Sequence, residues 1–503
     1  MLFSRTIPLV LMLAFSFFMP VAFASTSAQT ENRIKAAEAC NTSGANKYTQ
    51  GDLDAAIADY DQAILLNPQF SKAYYNRGLA KYDKGNYDEA VADYDQAIKL
   101  NPQYEDAFIN RALAKDNLAD LDGAIADNSE ALKLNPTDSY AFNNRGWARY
   151  RKGDLDAAIL DYNQAIQLNS RMSQPYNDRG VAEKKKGDIK QAIADYTRAI
   201  QLDPNDDQAY YNRAIARNDQ GEIDAAITDL DHALEIDPKY ADAYLDRAEL
   251  KVEKEDWDGA IIDYDRVIAL SSKSFDAYNE RGMAWYRKGE SNAALTDYNR
   301  ALEIDPKSAE TYNNRGNVRK DLSDWNGALA DYNHALAIDP KSAGAHNNRG
   351  TVEQAAGKLS DALADYSLAL KLDPKDAEAC SNLASLYEAR GDWDTALSYA
   401  TKAILIDPKF SQAYNNRGVA EYHKGDWAGA MTDYDLALQI DPNDEHAYNN
   451  RGLAEQARGD LEAALLDFNQ AIEIDPQFSI AFHNRAWVEY DEGNLWAALA
   501  DLF

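Results

Sequence analysis

Along residues 71–104, SKAYYNRGLAKYDKGNYDEAVADYDQAIKLNPQY, apolar and small positions recur three and four residues apart on both sides of Lys84-Gly85-Asn86. That spacing predicts two amphipathic helices joined by a tight turn. Gly85 suits the left-handed conformation that ends the first helix, and Asn86, or Asp154, Asp188 and Asp392 in the equivalent places, can cap the second. Pro102 stops the second helix, because it has no N–H and its ring clashes with the preceding turn.

The same pattern returns every 34 residues. Proline falls at 68, 102, 136, 204, 238, 306, 340, 374, 408, 442 and 476, with Ser170 and Ser272 at the two vacant grid points, and of the 14 prolines only Pro8, Pro20 and Pro175 lie off the grid. Counted from Ala37, thirteen complete units run through residues 37–478, and a fourteenth occupies 479–503. An array of this kind overrules the several globular domains that 503 residues would otherwise suggest. The joints at Ser170 and Ser272, without proline, are expected to be looser.

An aromatic at repeat position 4, small residues at 8 and 20, an aromatic at 24, Ala at 27 and Pro at 32 make the chain similar to the tetratricopeptide repeat (TPR) family over residues 37–503. Position 20 is Ala in all fourteen units, from Ala56 and Ala90 to Ala498, and position 8 is Gly or Ala throughout. Helices cross closely only where side chains are small, so these slots set the contact distance. The resemblance implies an all-α fold, a right-handed TPR α-solenoid superhelix, with a long concave face lined by first-helix positions 2, 5, 6, 9, 12 and 13.

One departure from the family pattern is electrostatic. Position 7, Leu in the family, is Arg in twelve units (Arg77, Arg111, Arg145 through Arg485), and position 23 is Asp in thirteen (Asp59, Asp93, Asp127 through Asp501). The unit from Ala377 has Leu383 and Tyr399 instead, losing both charges together, which points to a ladder of ion pairs. Ser43 with Asp59 breaks the correlation unless Asp59 pairs with Arg77 of the next unit, so pairing within and between repeats both remain open.

At the start of the chain, MLFSR precedes an apolar run from Leu9 to Met19 and then Ala22-Phe23-Ala24. That order is expected of a secretory signal over residues 1–24 cleaved after Ala24, with 25–36 as an N-terminal lead-in and a periplasmic or secreted product. The run is shorter than the roughly 18 to 20 apolar residues that span a bilayer, so no stable membrane insertion is expected after cleavage. The formal charge is −31, and cleavage removes Arg5 and makes it one unit more negative. Such a surface repels phosphate backbones, so nucleic acid is not an expected partner. Cys40 and Cys380 are ten periods apart, too far to bridge in a stacked array, and read as small core residues.

No enzymatic constellation is expected. No two of the six histidines stand four apart and no Cys joins them, so neither a metal site nor a cofactor is expected, and the carboxylates recur with the repeat instead of forming a unique acid/base pair. Binding on the concave face is the expectation that remains. Position 6 is Asn in ten units: Asn76, Asn110, Asn144, Asn212, Asn314, Asn348, Asn382, Asn416, Asn450 and Asn484. A row of amides either holds an extended peptide backbone or solvates the helices. Tyr82, Tyr150, Tyr286, Tyr422 and Tyr490 at position 12 either stack on a ligand or pack on the next helix. Basic spots at Arg151-Lys152, Lys184-Lys185-Lys186 and Arg287-Lys288 either meet acidic ligand groups or are solvated turn charge. The carboxylate clamp of co-chaperone TPR domains is not supported, since no unit has Lys at 5 or Arg at 6. The expected function is an extracytoplasmic protein-interaction scaffold for an extended protein or peptide segment, and the alternative is a carbohydrate-handling scaffold in envelope polysaccharide assembly or export. The apolar NLWAALADLF is a candidate surface for self-association.

Overall fold

The structure, a computed structural model, describes residues 19–502. Among the described residues are 28 helices. The first, Met19–Thr49, serves as the first helix of repeat 1 and extends back through the lead-in at 25–36; the expected signal segment up to residue 18 lies outside the described residues. Later repeats give two helices each, as in Ser139–Lys152 followed by Leu155–Leu168. Gly85 and Gly153 end their first helices at φ +80° and +91°, which a Cβ disfavours. Repeats 3, 7 and 9 put Ala119, Glu255 and Ser323 into the same left-handed turn, at φ 61°, 58° and 60°. Asp188 and Asp392 accept hydrogen bonds from the Gln191 and Thr395 amides, whereas Asn86 and Asp154 occupy the cap position with no side-chain bond.

Beside Pro102 the second helix closes with the Asn101 amide donating to the Ala97 carbonyl at 2.9 Å. At the joints lacking proline, Asn169 bonds to Ala165 at 2.9 Å and Ser271 to Val267 at 2.8 Å. The chain therefore follows one path with or without proline. Pro175 sits in the first turn of Gln174–Lys186, where a missing N–H leaves no helical carbonyl unpaired.

The described residues form two compact units, divided between Ala243 and Tyr244 inside the helix Ala241–Glu253. Within each, a second helix packs on the first helices of its own and the following repeat, and successive first helices touch. The position-20 alanines sit at the crossings, fully buried from Ala56 and Ala90 in the first unit to Ala430 and Ala464 in the second. Position 8 is shaped by position 24. A Cβ on Gly78 would lie 2.6 Å from the Tyr94 ring and one on Gly146 2.8 Å from Tyr162; Gly350 under Tyr366 and Gly452 under Phe468 repeat this in the second unit. Where position 8 is Ala the ring is mostly gone: Ala112 faces Asn128, Ala214 faces Leu230 and Ala384 faces Ala400, with Ala248 and Tyr264 the exception.

The arginine ladder runs within repeats. Arg77 grips Asp93 with Nε at 2.9 Å and Nη2 at 2.5 Å, the two-pronged geometry that suits a planar guanidinium. The same fork recurs at Arg145 with Asp161, Arg281 with Asp297 and Arg451 with Asp467. Asp59 takes Lys47 of its own repeat at 2.7 Å instead of Arg77, and hydrogen bonds from Lys47 and Ser43 hold its carboxyl below the usual range. A cross-repeat arm does exist, but to position 25: Nη1 of Arg77 reaches Asp61, and that of Arg179 reaches Asn163 at 2.6 Å. The guanidinium also lies over its own position-4 ring, 5.6 Å from Tyr74 for Arg77. In repeat 11 the ladder is replaced by apolar packing, with Leu383 buried against Tyr366 and Tyr399 nearby. Cys380 is buried beside Ala403 and Ala413, and both cysteines are free thiols.

Candidate functional site

The position-6 asparagines stand half-buried on the first helices, and Asn416 is buried. Eight of the ten donate an Nδ2–H to the preceding repeat, in every case to its position 5. Asn76 bonds to Asn41 at 2.9 Å, Asn212 to Asn177 at 3.0 Å, Asn348 to Asn313 at 3.0 Å, Asn382 to Asn347 at 2.9 Å, Asn450 to Asn415 at 3.0 Å and Asn484 to Asn449 at 2.8 Å. Asn110 uses the Tyr75 hydroxyl, and Asn416 uses both Ser381 oxygens. Only Asn144 and Asn314 make no such bond. Half of each amide is thus committed to tying repeats together, while the Oδ1 atoms of Asn76, Asn212, Asn348 and Asn382 accept nothing from the protein and remain on the face. Nothing in the sequence of one repeat shows the position-5 partners Asn177, Asn313, Asn347, Asn415 and Asn449; their pairing is visible only in the co-occurrence of Asn at 5 in one unit and at 6 in the next.

Position 12 is tied forward in the same way. The Tyr82 hydroxyl accepts from Asn117 at 3.0 Å, Tyr286 donates to Asp321, and the Tyr150 ring takes Lys185 at 4.9 Å from its centroid. Tyr422 lies edge-on to His423, and Tyr490 is exposed near Trp487. The basic spots are paired: Arg151 with Asp116 at 2.6 Å, Lys152 with Asp122 at 2.5 Å, Lys184 with Asp219 at 3.1 Å, Lys186 with Asp156 at 2.6 Å and Lys288 with Asp258 at 2.5 Å. These exposed ion pairs reach across to neighbouring repeats, so the residues are solvated turn charge that also links one repeat to the next.

Three carboxyls interrupt the polar face and respond to burial. Asp178 replaces Asn at position 6, and burial raises it to about 6 although Asn143 and Gln174 donate to it. Burial also raises Glu280 in the same slot, and Glu388 at position 12, which has no partner for Oε1, is pushed up to about 8. At the far end, Leu495 and Trp496 are 55% and 87% exposed, and an apolar cavity of about 460 Å³ opens between Trp487, Tyr490 and Leu499. No helix among the described residues is long and apolar enough to cross a membrane. Among the described residues no group of three or more His, Cys, Asp or Glu is arranged to hold a metal ion.

Comparison with known proteins agrees with this geometry. Profiles described as tetratricopeptide repeat or TPR repeat match residues 44–104, 139–172, 180–252 and 283–478 between them. No curated protein sequence is close enough to count as a relative. Among solved structures, the chain is similar to the APC/C hetero-tetramer Cut9-Hcn1 (12% identity, 90% of this chain and 96% of that one, TM-score 0.46) and to yeast Tom70 (16% identity, 92% and 96%, TM-score 0.36). It is also similar to a tetratricopeptide repeat protein from Parabacteroides merdae at 22% identity, covering 49% of this chain and 98% of that one with a TM-score of 0.42. The paired helices, the alanine crossings and the profiles spread along the array together make this chain a member of the tetratricopeptide repeat family.

Proposed function

We propose that the chain is an extracytoplasmic, non-catalytic scaffold that binds extended protein segments along the face made by its first helices. The observation that carries this reading is that Asn Oδ1 atoms on the first helices, at Asn76 and Asn212 in one unit and at Asn348 and Asn382 in the other, accept no hydrogen bond from the protein. An amide oxygen left without a donor can accept a backbone N–H of an extended segment and is indifferent to its side chains. The order of residues 1–24, a basic residue, an apolar run and Ala22-Phe23-Ala24, supports a location outside the cytoplasm.

The test is retention of an array of unstructured, lysine-free peptides on the immobilised protein, compared with a variant carrying Asn314→Ala and Asn348→Ala. Retention is expected to fall several-fold, while the melting temperature falls only by the loss of the one Asn348–Asn313 hydrogen bond. Equal retention by both proteins, or none by either, sinks the reading. The location is tested by sequencing the N-terminus of native protein, which is expected to begin at Ser25.

A further inference from the structure

Position 24 holds a buried Tyr or Phe in ten repeats, but in repeat 3 it holds Asn128, whose side chain is too short to fill the space. The result is a cavity of about 230 Å³ on the first-helix face of repeats 3 to 5. Oxygen atoms converge on it. Asn128, 1% exposed, gives its Nδ2–H to the Ala124 carbonyl at 3.0 Å, and Asn143, 5% exposed, gives its own to Asp178 at 2.9 Å. Those two bonds fix the amide orientations, and both Oδ1 atoms are left buried with no donor. Asp116 is in the same condition: Arg151 occupies Oδ2, and Oδ1 is buried and unpaired. Asp178, 5% exposed, completes the lining, with one oxygen taken by Gln174 and the other by Asn143. Leu113 and Trp147 form the apolar wall, and the Trp147 ring stacks on Tyr150 at 5.3 Å.

Buried acceptors without donors are costly unless a ligand brings the hydrogens. We propose that this cavity receives the primary ammonium of a lysine side chain on a bound protein segment, with the head among the four oxygen-bearing side chains and the stem along Leu113 and Trp147. An ammonium supplies three N–H donors and no acceptor, which matches single acceptors spread around a point. A guanidinium fits less well, because its planar fork wants both oxygens of one carboxylate and both oxygens of Asp178 are already engaged. The charge also agrees: Arg151 offsets Asp116, Asp178 is left to balance the ligand, and the chain as a whole carries −31. The inference deepens the scaffold reading by naming a side chain that a bound segment presents.

The test is calorimetric titration of the full-chain protein with a blocked pentapeptide holding one central lysine in glycine, beside its norleucine, Nε-acetyl-lysine and arginine counterparts and n-pentylammonium. The lysine peptide is expected to saturate one site, and each other ligand to bind at least about tenfold more weakly. Asp178→Asn, which preserves shape, is expected to weaken the lysine peptide at least about tenfold. A second variant, Asn128→Tyr with Ala112→Gly, gives repeat 3 the ring-over-glycine packing of its neighbours and is expected to abolish binding in a well-folded protein. Failure of the lysine peptide to bind, equal binding of norleucine, or binding that survives the filled cavity would overturn the proposal. Equally tight n-pentylammonium would overturn the assignment to a protein segment. If lysine peptides fail while lysine-free array peptides are still retained, the pocket falls alone; if the array peptides fail as well, the scaffold reading falls with it.

Discussion

Repeats 4 and 12 place the same helix pair around the same ion pair and differ in the sign of one neighbour. In repeat 4, Asp161 is gripped by Arg145 and also receives Arg149, from position 11, at 2.7 Å. In repeat 12, Asp433 has Arg417 at 2.6 Å, but position 11 is Glu421, with an Oε2 that is buried and unpaired. Burial, and then the charge of Asp433, push Glu421 up to about 7, and Glu455 beside Asp467 responds in the same way. Lys81, Lys115, Arg217, Lys251 and Arg319 follow repeat 4; Glu353 and Glu489, also raised by burial, follow repeat 12. The fold tolerates either sign because the Arg–Asp fork is already closed, so position 11 adjusts local stability and its pH dependence without changing the helix crossing.

The largest effect expected from this contrast is loss of the central carboxylate. Asp161→Ala strands two cations and should cost about 3 to 5 kcal/mol, as for other buried pairs broken on one side. Asp433→Ala should cost less, because Glu421 can turn to Arg417. Hydrogen exchange in Ser139–Lys152 and Ser411–His423 reads the two separately, which matters in a repeat array where opening is local. Equal losses would break the comparison.

Next in size is reversal of the sign. Glu421→Lys should restore the second cation and raise local protection by about 1 kcal/mol near neutral pH, and Lys115→Glu should lower it by a similar amount, the scale of a partly exposed pair. A gain in both variants would show that position 11 acts through something other than Asp433 and Asp127.

The pH profile sharpens the contrast further. A glutamate whose folded-state value lies above its unfolded one binds more protons when folded, so the stability of repeats 12 and 13 should rise as pH falls through about 7 and level off below the ordinary glutamate range. Glu421→Gln with Glu455→Gln should be more protected than the parent at pH 8, with the gap narrowing towards pH 5 and closing only below the ordinary glutamate range, as read by exchange corrected for the intrinsic rate. A pH-independent difference would exclude these carboxyls as the cause. Acidification should bring no such gain in repeat 4, where position 11 is Arg149.

The smallest effect serves as a control outside the two repeats compared. Ala119→Gly and Ser323→Gly relieve a left-handed turn and should stabilise their repeats by about 0.5 to 1 kcal/mol each, less than the strain itself because glycine also loosens the unfolded chain. The gain should be the same in both, since it depends on backbone alone.

Much of this was legible in the residues. The period, the two helices per repeat, Gly at the turn and Ala at the crossing follow from local rules that each repeat states afresh. The pairing of Arg with Asp was visible in their joint loss at Leu383 and Tyr399, and the exchange of Gly for Ala at position 8 tracks the ring at position 24. The partners of the asparagines were not legible, nor was the repeat-linking role of Arg151, Lys152 and Lys184. Those contacts join residues about one period apart, and they exist only once neighbouring repeats have stacked.

The sequence by itself determined the kind of unit and its recurrence, because helix formation, turn geometry and close crossing depend on residues within one repeat. Tertiary structure alone decided which side of each asparagine stays available, which way the arginine ladder runs, and that a short Asn128 opens a cavity rimmed by buried oxygens. The physical reason is that a hydrogen bond is fixed by distance and angle between groups from different repeats, and a list of residues carries neither.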